Sequence, residues 1–273
     1  MQSTSNQTVS IQQRNYIQGL RGLAILAVVF YHANLWVHGG FVGVDIFFVI
    51  SGYVIFNSLI NEYSNTNKID IGDFVSRRVR RLLPAFSVMS ICTLIATVFI
   101  LSPFGEQQQV SRTSQAASLF GANIYLAIQN SYFALVNNPF RHTWTLAVEE
   151  QFYLFLILFL ALLVYVARRQ SLDFLKLATI MLIIFGIASF AISTIFSYGF
   201  RIIPLPTRVA FFSFPTRTWE FIVGILVALS GVTRIQKQKN KITIYLSTTS
   251  GILLIIYALV NFNTFTNFPG LAA

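Results

Sequence analysis

Seven apolar stretches divide the chain, at roughly residues 17–37, 41–60, 83–103, 149–166, 177–197, 216–232 and 242–261. Each is close to the about 20 residues that a helix needs to cross a hydrocarbon core. An eighth stretch, 115–136, is apolar but interrupted by Gln115, Asn123, Gln129 and Asn130, and reads as an interfacial or re-entrant element. The seven prolines fall at or beyond the edges of the seven stretches, where helices begin or stop, so the pattern predicts continuous helices. The expected fold class is an all-α integral membrane protein, a polytopic transmembrane helix bundle of about seven to eight spans. Residues 1–15 form a polar N-terminal segment and 16–273 the transmembrane domain.

Composition supports this reading: 55% of residues are hydrophobic and 10% charged, where soluble domains carry about a quarter charged residues. The net charge of +10 does not point to nucleic acid, because the basic residues sit in short clusters between apolar runs and are not interleaved with stacking aromatics. With the amino terminus placed in the cytoplasm, thirteen Lys and Arg residues fall in inner loops and four in outer ones. That is the positive-inside bias. Residues 1–15 lack the apolar core and small-residue cleavage site of a signal peptide. The single cysteine, Cys92, rules out a disulfide framework within the chain.

Against this background the ionisable residues inside apolar stretches stand out. Of nine acids, Asp45, Glu149, Glu150 and Glu220 lie within or at the edge of a predicted span, as do Arg21, His32 and Arg217. Facing lipid, each would cost several kcal/mol, so each should face a partner or a wet cavity. Arg21 and His32 are eleven residues apart, about 17 Å along a helix and only about 20° off three whole turns, and so share one stripe. Arg21 fits either an interfacial anchor or a guanidinium fork that meets phosphate. His32 fits either a polar contact between helices or a base, and Asp45 sits at a similar depth on the next span. A carboxylate there would fix the imidazole tautomer and strengthen its other nitrogen for taking a proton from a hydroxyl. Gly39, Gly40, Gly43 and Gly52 permit close approach of backbone, whether for helix packing or for a ligand.

Three further segments carry charge. "FVSRRVRRLLPA" places Arg77, Arg78, Arg80 and Arg81 directly before the third span, either as a topology signal against anionic lipid or as a docking site for a polyanionic ligand. "RHTWTLAVEEQFYLF" brings in Glu149 and Glu150. Adjacent helical residues diverge by about 100°, so one at most should face a site squarely. Both could equally sit among headgroups near the helix start. "PTRTWEFIVGIL" sets Arg217 and Glu220 three apart, a spacing that permits an intrahelical ion pair. No G-x-S-x-G turn, metal-ligand spacing or phosphate loop is present in the sequence.

Taken in order, Arg21 and His32, "GGFVGVDIFFVISGY", "RRVRRLLPA", "HTWTLAVEEQFY" and "RTWEFIVG" resemble the bacterial membrane-bound acyltransferase family 3, whose members O-acylate cell-surface glycans. The similarity runs from about residue 14 to the end. It implies a domain of about ten helices, of which this sequence would hold only part. It also implies a multi-pass protein of the bacterial cytoplasmic membrane, with a cytoplasmic amino terminus. The implied reaction passes an acyl group, most often acetyl, from cytoplasmic acyl-CoA to a hydroxyl of a cell-surface polysaccharide or lipopolysaccharide. Acyl-CoA would be the donor substrate, with no permanently bound cofactor and no metal; the partners would be the lipid bilayer, acyl-CoA and the glycan, not nucleic acid.

By this resemblance His32 matches the catalytic histidine, Arg21 its partner, and Arg78 and Arg81 the paired arginines, with Arg77 and Arg80 at the same spacing in another register. The implied mechanism seats CoA phosphates on these arginines and threads the pantetheine arm along the Arg21 to His32 stripe. His32, oriented by Asp45, would act as general base, a covalent acyl-histidine being the competing route. Glu149 and Glu150 are further catalytic candidates, and Arg217, Glu220 and Gly43 supporting ones. The rival class is a proton-coupled transporter or exporter, which also buries Arg, His and Asp but tends to carry broken helices and internal repeats.

Overall fold

The computed structural model describes residues 2–129, 138–198, 206–233 and 241–263. Among these residues there is no strand, and helices follow in the order α1 (Gln2–His32), α2 (Val42–Thr66), α3 (Ile71–Ile100), α4 (Glu106–Ser118), α5 (Ala122–Ile128), α6 (Thr143–Gln170), α7 (Phe174–Tyr198), α8 (Pro206–Phe212), α9 (Phe214–Thr233) and α10 (Lys241–Asn261). Helices α2, α3, α6 and α7 are long and apolar enough to cross a membrane, and α10 contains a shorter apolar stretch, Tyr245–Asn261. The all-α membrane class is what the apolar pattern requires, because only helices satisfy every backbone group within one segment. Pro204, Pro269, Asn130, Arg201, Arg234, Lys237 and Lys239 lie outside the described residues.

Two sequence expectations change. Pro84 lies inside α3, because the helix starts not at the third apolar stretch but at Asp70, whose carboxylate caps it by accepting from the Asp73 amide at 2.9 Å. Such a cap is worth about 1 kcal/mol, and it extends the helix back through the arginine cluster. Stretch 115–129 is divided between the end of α4 and the short α5, neither of them long enough to cross a bilayer. Its polar residues are structural. Asn123 Nδ2 donates to Gln151 Oε1 at 3.1 Å and to the Phe212 carbonyl at 3.0 Å. Gln151 Nε2 returns a bond to Asn123 Oδ1 at 2.9 Å and reaches the Phe120 carbonyl at 2.8 Å.

The chain forms two compact units, one made of residues 1–56 and 220–273, the other of residues 57–219. In the second, α6 is central. Leu156, Ile157, Leu160, Val164 and Ala167 are buried along one face, whereas Leu154, Leu158 and Leu162 repeat every fourth residue on the exposed face that suits lipid. Helices α4, α5, α7 and α8 pack on α6. Ser189 fastens α7 to the start of α9, donating to the Pro215 carbonyl at 2.6 Å and accepting from the Trp219 amide at 3.0 Å. Ser171, in the left-handed conformation, ends α6 just after Arg168 and Arg169, whose charges suit a helix carboxyl terminus.

In the first unit the helices meet backbone to backbone. A Cβ at Gly52 would strike the Phe221 carbonyl of α9, and one at Gly224 would strike the Val49 carbonyl of α2, so the crossing is closed by a glycine from each side. The Phe48 and Phe221 rings stack beside it at 4.6 Å. Gly43 and Gly40 do the same against the Ala24 and Ala27 carbonyls of α1. Lipid offers no hydrophobic drive between helices, so such van der Waals contact carries much of their association. Gly52→Val and Gly224→Val are expected to destabilise the protein by about 1–3 kcal/mol or more. Gly251→Ala, which meets open space, should leave stability within about 0.5 kcal/mol. Melting temperatures in detergent micelles check this; equal melting of all three variants would remove the crossing as a stabilising contact.

Candidate functional site

Each unit holds one group of the residues singled out by sequence. In the first, Arg21 is half-buried on α1 with its guanidinium 5.5 Å from the Phe47 ring centroid, a cation–π arrangement that partly compensates lost hydration. His32 is the last residue of α1 and is exposed. Its Nδ1 donates to the Val28 carbonyl at 2.8 Å, and its ring stands edge-on to Tyr31 at 5.1 Å. Asp45 is half-buried in the first turn of α2, where a carboxylate faces the positive end of the helix.

The acceptor at His32 Nδ1 is thus the Val28 carbonyl. A carbonyl can only accept, so in the neutral imidazole the proton sits on Nδ1 and the lone pair on Nε2. Gly43 lies one turn before Phe47 on α2, and its missing side chain lets α1 and α2 close to contact. Glu220 is buried on α9.

The second unit gathers the other group more tightly. Arg78 on α3 makes an ion pair with Glu150 on α6, and its guanidinium lies over the Tyr153 ring with 4.0 Å to the centroid. The Tyr153 hydroxyl in turn donates to Glu149 Oε1, one helical turn back. The pair is largely shielded, with 19% and 15% of the two side chains exposed. Adjacent acids therefore both serve one cluster, against the expectation that one at most would. Glu150 points at the arginine directly, and Glu149 enters through the phenol at i+4. Tyr153 was missed by sequence reasoning, although its spacing of four from Glu149 and three from Glu150 within "EEQFY" is the available signal.

The remaining arginines of the cluster are placed differently. Arg77, about half exposed, reaches the more shielded Glu62 at 3.0 Å and the exposed Asp73 on its own helix. Arg80 donates to Ser76 Oγ at 2.6 Å, and Arg81 is exposed. Arg217 is 1% exposed, its guanidinium 5.5 Å from the Trp144 ring and 5.4 Å from the Phe211 ring. Among the described residues no group of three His, Cys, Asp or Glu is placed to hold a metal ion. What the two groups offer is an imidazole oriented through Nδ1 at a helix end, and a shielded guanidinium clamped between a carboxylate and a phenol.

The family described as "Acyltransferase domain" matches residues 14–272. The chain is 35% identical over 226 residues to a Bacillus subtilis (strain 168) protein named "Putative peptidoglycan O-acetyltransferase YrhL", covering 80% of this chain and 34% of that protein. It is 43% identical over 141 residues to "O-acetyltransferase OatA" of Staphylococcus aureus (strain NCTC 8325 / PS 47), covering 50% of this chain and 23% of that protein. The aligned region thus spans about a third or less of each of these relatives. No solved structure matches the chain.

Removing one partner of a shielded pair leaves a charge without compensation, so Arg78→Met and Glu150→Leu should each destabilise the protein by on the order of 2 kcal/mol. The double variant should recover much of that loss, a coupling of about 1–3 kcal/mol. A double-mutant cycle of melting temperatures in detergent reads this directly, and strict additivity would show that the contact contributes nothing.

Proposed function

The chain belongs to the acyltransferase domain family, and on that premise we propose that it works as a membrane O-acetyltransferase. It takes an acetyl group from acyl-CoA on the cytoplasmic side and delivers it to a hydroxyl of a cell-surface glycan. The names of the relatives favour peptidoglycan over lipopolysaccharide as the acceptor. The excess of basic residues in alternate loops supports a multi-pass protein of the cytoplasmic membrane with its amino terminus inside.

The observation that carries the proposal is the state of His32. Its Nδ1 proton is spent on the Val28 carbonyl, which leaves Nε2 as an exposed base at the far end of a stripe that begins at Arg21. In the proposed reaction Nε2 takes the proton of the acceptor hydroxyl while the oxygen attacks the thioester carbonyl. The tetrahedral intermediate collapses with cleavage of the carbon–sulfur bond. The departing CoA thiolate takes the proton from the imidazolium, which returns His32 to its starting form.

The test is O-acetylation of peptidoglycan, read by mass spectrometry of digested cell wall. A host lacking its own O-acetyltransferases would express the protein or its His32→Ala variant at matched membrane levels. Loss of the base should lower acetylation by about 100-fold or more. Equal acetylation by both would remove His32 from the reaction, and none by either would remove peptidoglycan O-acetylation itself.

A further inference from the structure

The four arginines before the third apolar stretch look alike in sequence but do not do the same work. Arg77 is neutralised locally by Glu62 and Asp73, and Arg80 is held by Ser76. Arg81 is exposed. Arg78 alone of the four turns onto α6, where Glu150 occupies one face of its fork and the Tyr153 ring covers its plane.

A phosphate arriving at Arg78 would have to displace Glu150 and would stand near Glu149 as well, which accepts from the Tyr153 hydroxyl, two carboxylates that repel it. Arg81 presents no such obstacle.

We propose that Arg78 is a positioning residue and not a phosphate ligand. It holds the Glu150 carboxylate, and by stacking on Tyr153 it fixes the phenol that donates to Glu149. The donor's phosphates are met by the exposed arginines of the same segment, Arg81 first. Lysine could keep the charge beside Glu150 but has no plane to lay on the ring, so the arrangement requires arginine. This assignment rests on the reading of acyl-CoA as donor.

The test uses the purified protein in nanodiscs, with equilibrium binding of CoA and steady-state thiol release from acetyl-CoA in the presence of a soluble peptidoglycan fragment. Arg78→Lys should bind CoA within about twofold of wild type and keep KM while kcat falls about tenfold or more, the signature of a group acting after the donor is bound. Arg81→Gln should weaken CoA binding and raise KM several-fold with kcat kept. Glu150→Gln, which preserves shape, should follow Arg78→Lys and decides the matter where the lysine variant fails to fold. Weaker CoA binding in Arg78→Lys or Glu150→Gln by as much as in Arg81→Gln would overturn the positioning role, as would unchanged kcat in both. A wild-type protein that neither binds CoA nor releases thiol would instead sink the donor reading on which the assignment stands.

Discussion

The contact between Arg78 and Glu150 sets the terms for the unit around it. Two opposite charges largely shielded between packed helices are costly unless each is met by the other. They are accommodated because α3 and α6 bring them together, and because Tyr153 covers the guanidinium and passes its own hydroxyl to Glu149. Four side chains are thereby fixed by one another. An ion pair of this kind is weak support for stability when compared with apolar packing, yet it is strongly selective for one helix arrangement, since any slip would strand a charge. The remainder of the unit can then be held by ordinary means: the buried face of α6, the amide pair of Asn123 and Gln151, and Ser189 between α7 and α9.

The other unit joins its helices by close backbone approach. There the helices approach until a glycine on each faces a carbonyl on the other, as Gly52 and Gly224 do, and stacked Phe48 and Phe221 fill the space alongside. Close packing supplies many small dispersion contacts at once, which is the term that survives when lipid replaces water. The polar residues near it are settled individually: Arg21 against Phe47, and His32 against a carbonyl of its own helix.

How much of this was legible in the sequence depends on the range of the interaction. The helices are local, and the apolar pattern exposed them, including the presence of charges where lipid forbids them. The helix start at Asp70 was not found, because an aspartate cap is a weaker signal than the proline and apolar boundary that lie beyond it. The site was legible as a list and not as a set of contacts. Glu149 and Glu150 were visible as anomalies, but their shared target depends on Arg78, seventy-two residues from Glu150 along the chain, and on a tyrosine that looked like one more aromatic. Similarly, four arginines with nearly the same neighbours in sequence cannot be told apart until the helix turns them to different sides.

His32 shows what the identity of the acceptor means for chemistry. A carboxylate at Nδ1 would fix the tautomer and also stabilise the imidazolium formed when Nε2 takes a proton. The Val28 carbonyl fixes the tautomer just as firmly, but as a neutral acceptor it stabilises the cation less. In the proposed reaction that weaker support matters less than it would for an amide or an ester, because a thioester carries a good leaving group and its carbonyl is already reactive. The demand on the base is lower, and what remains is geometry: holding a hydroxyl, an imidazole nitrogen and a thioester carbonyl in line. A helix terminus suits that task, since the last turn of α1 fixes the ring through its own backbone while leaving Nε2 open to a substrate that arrives from outside the unit.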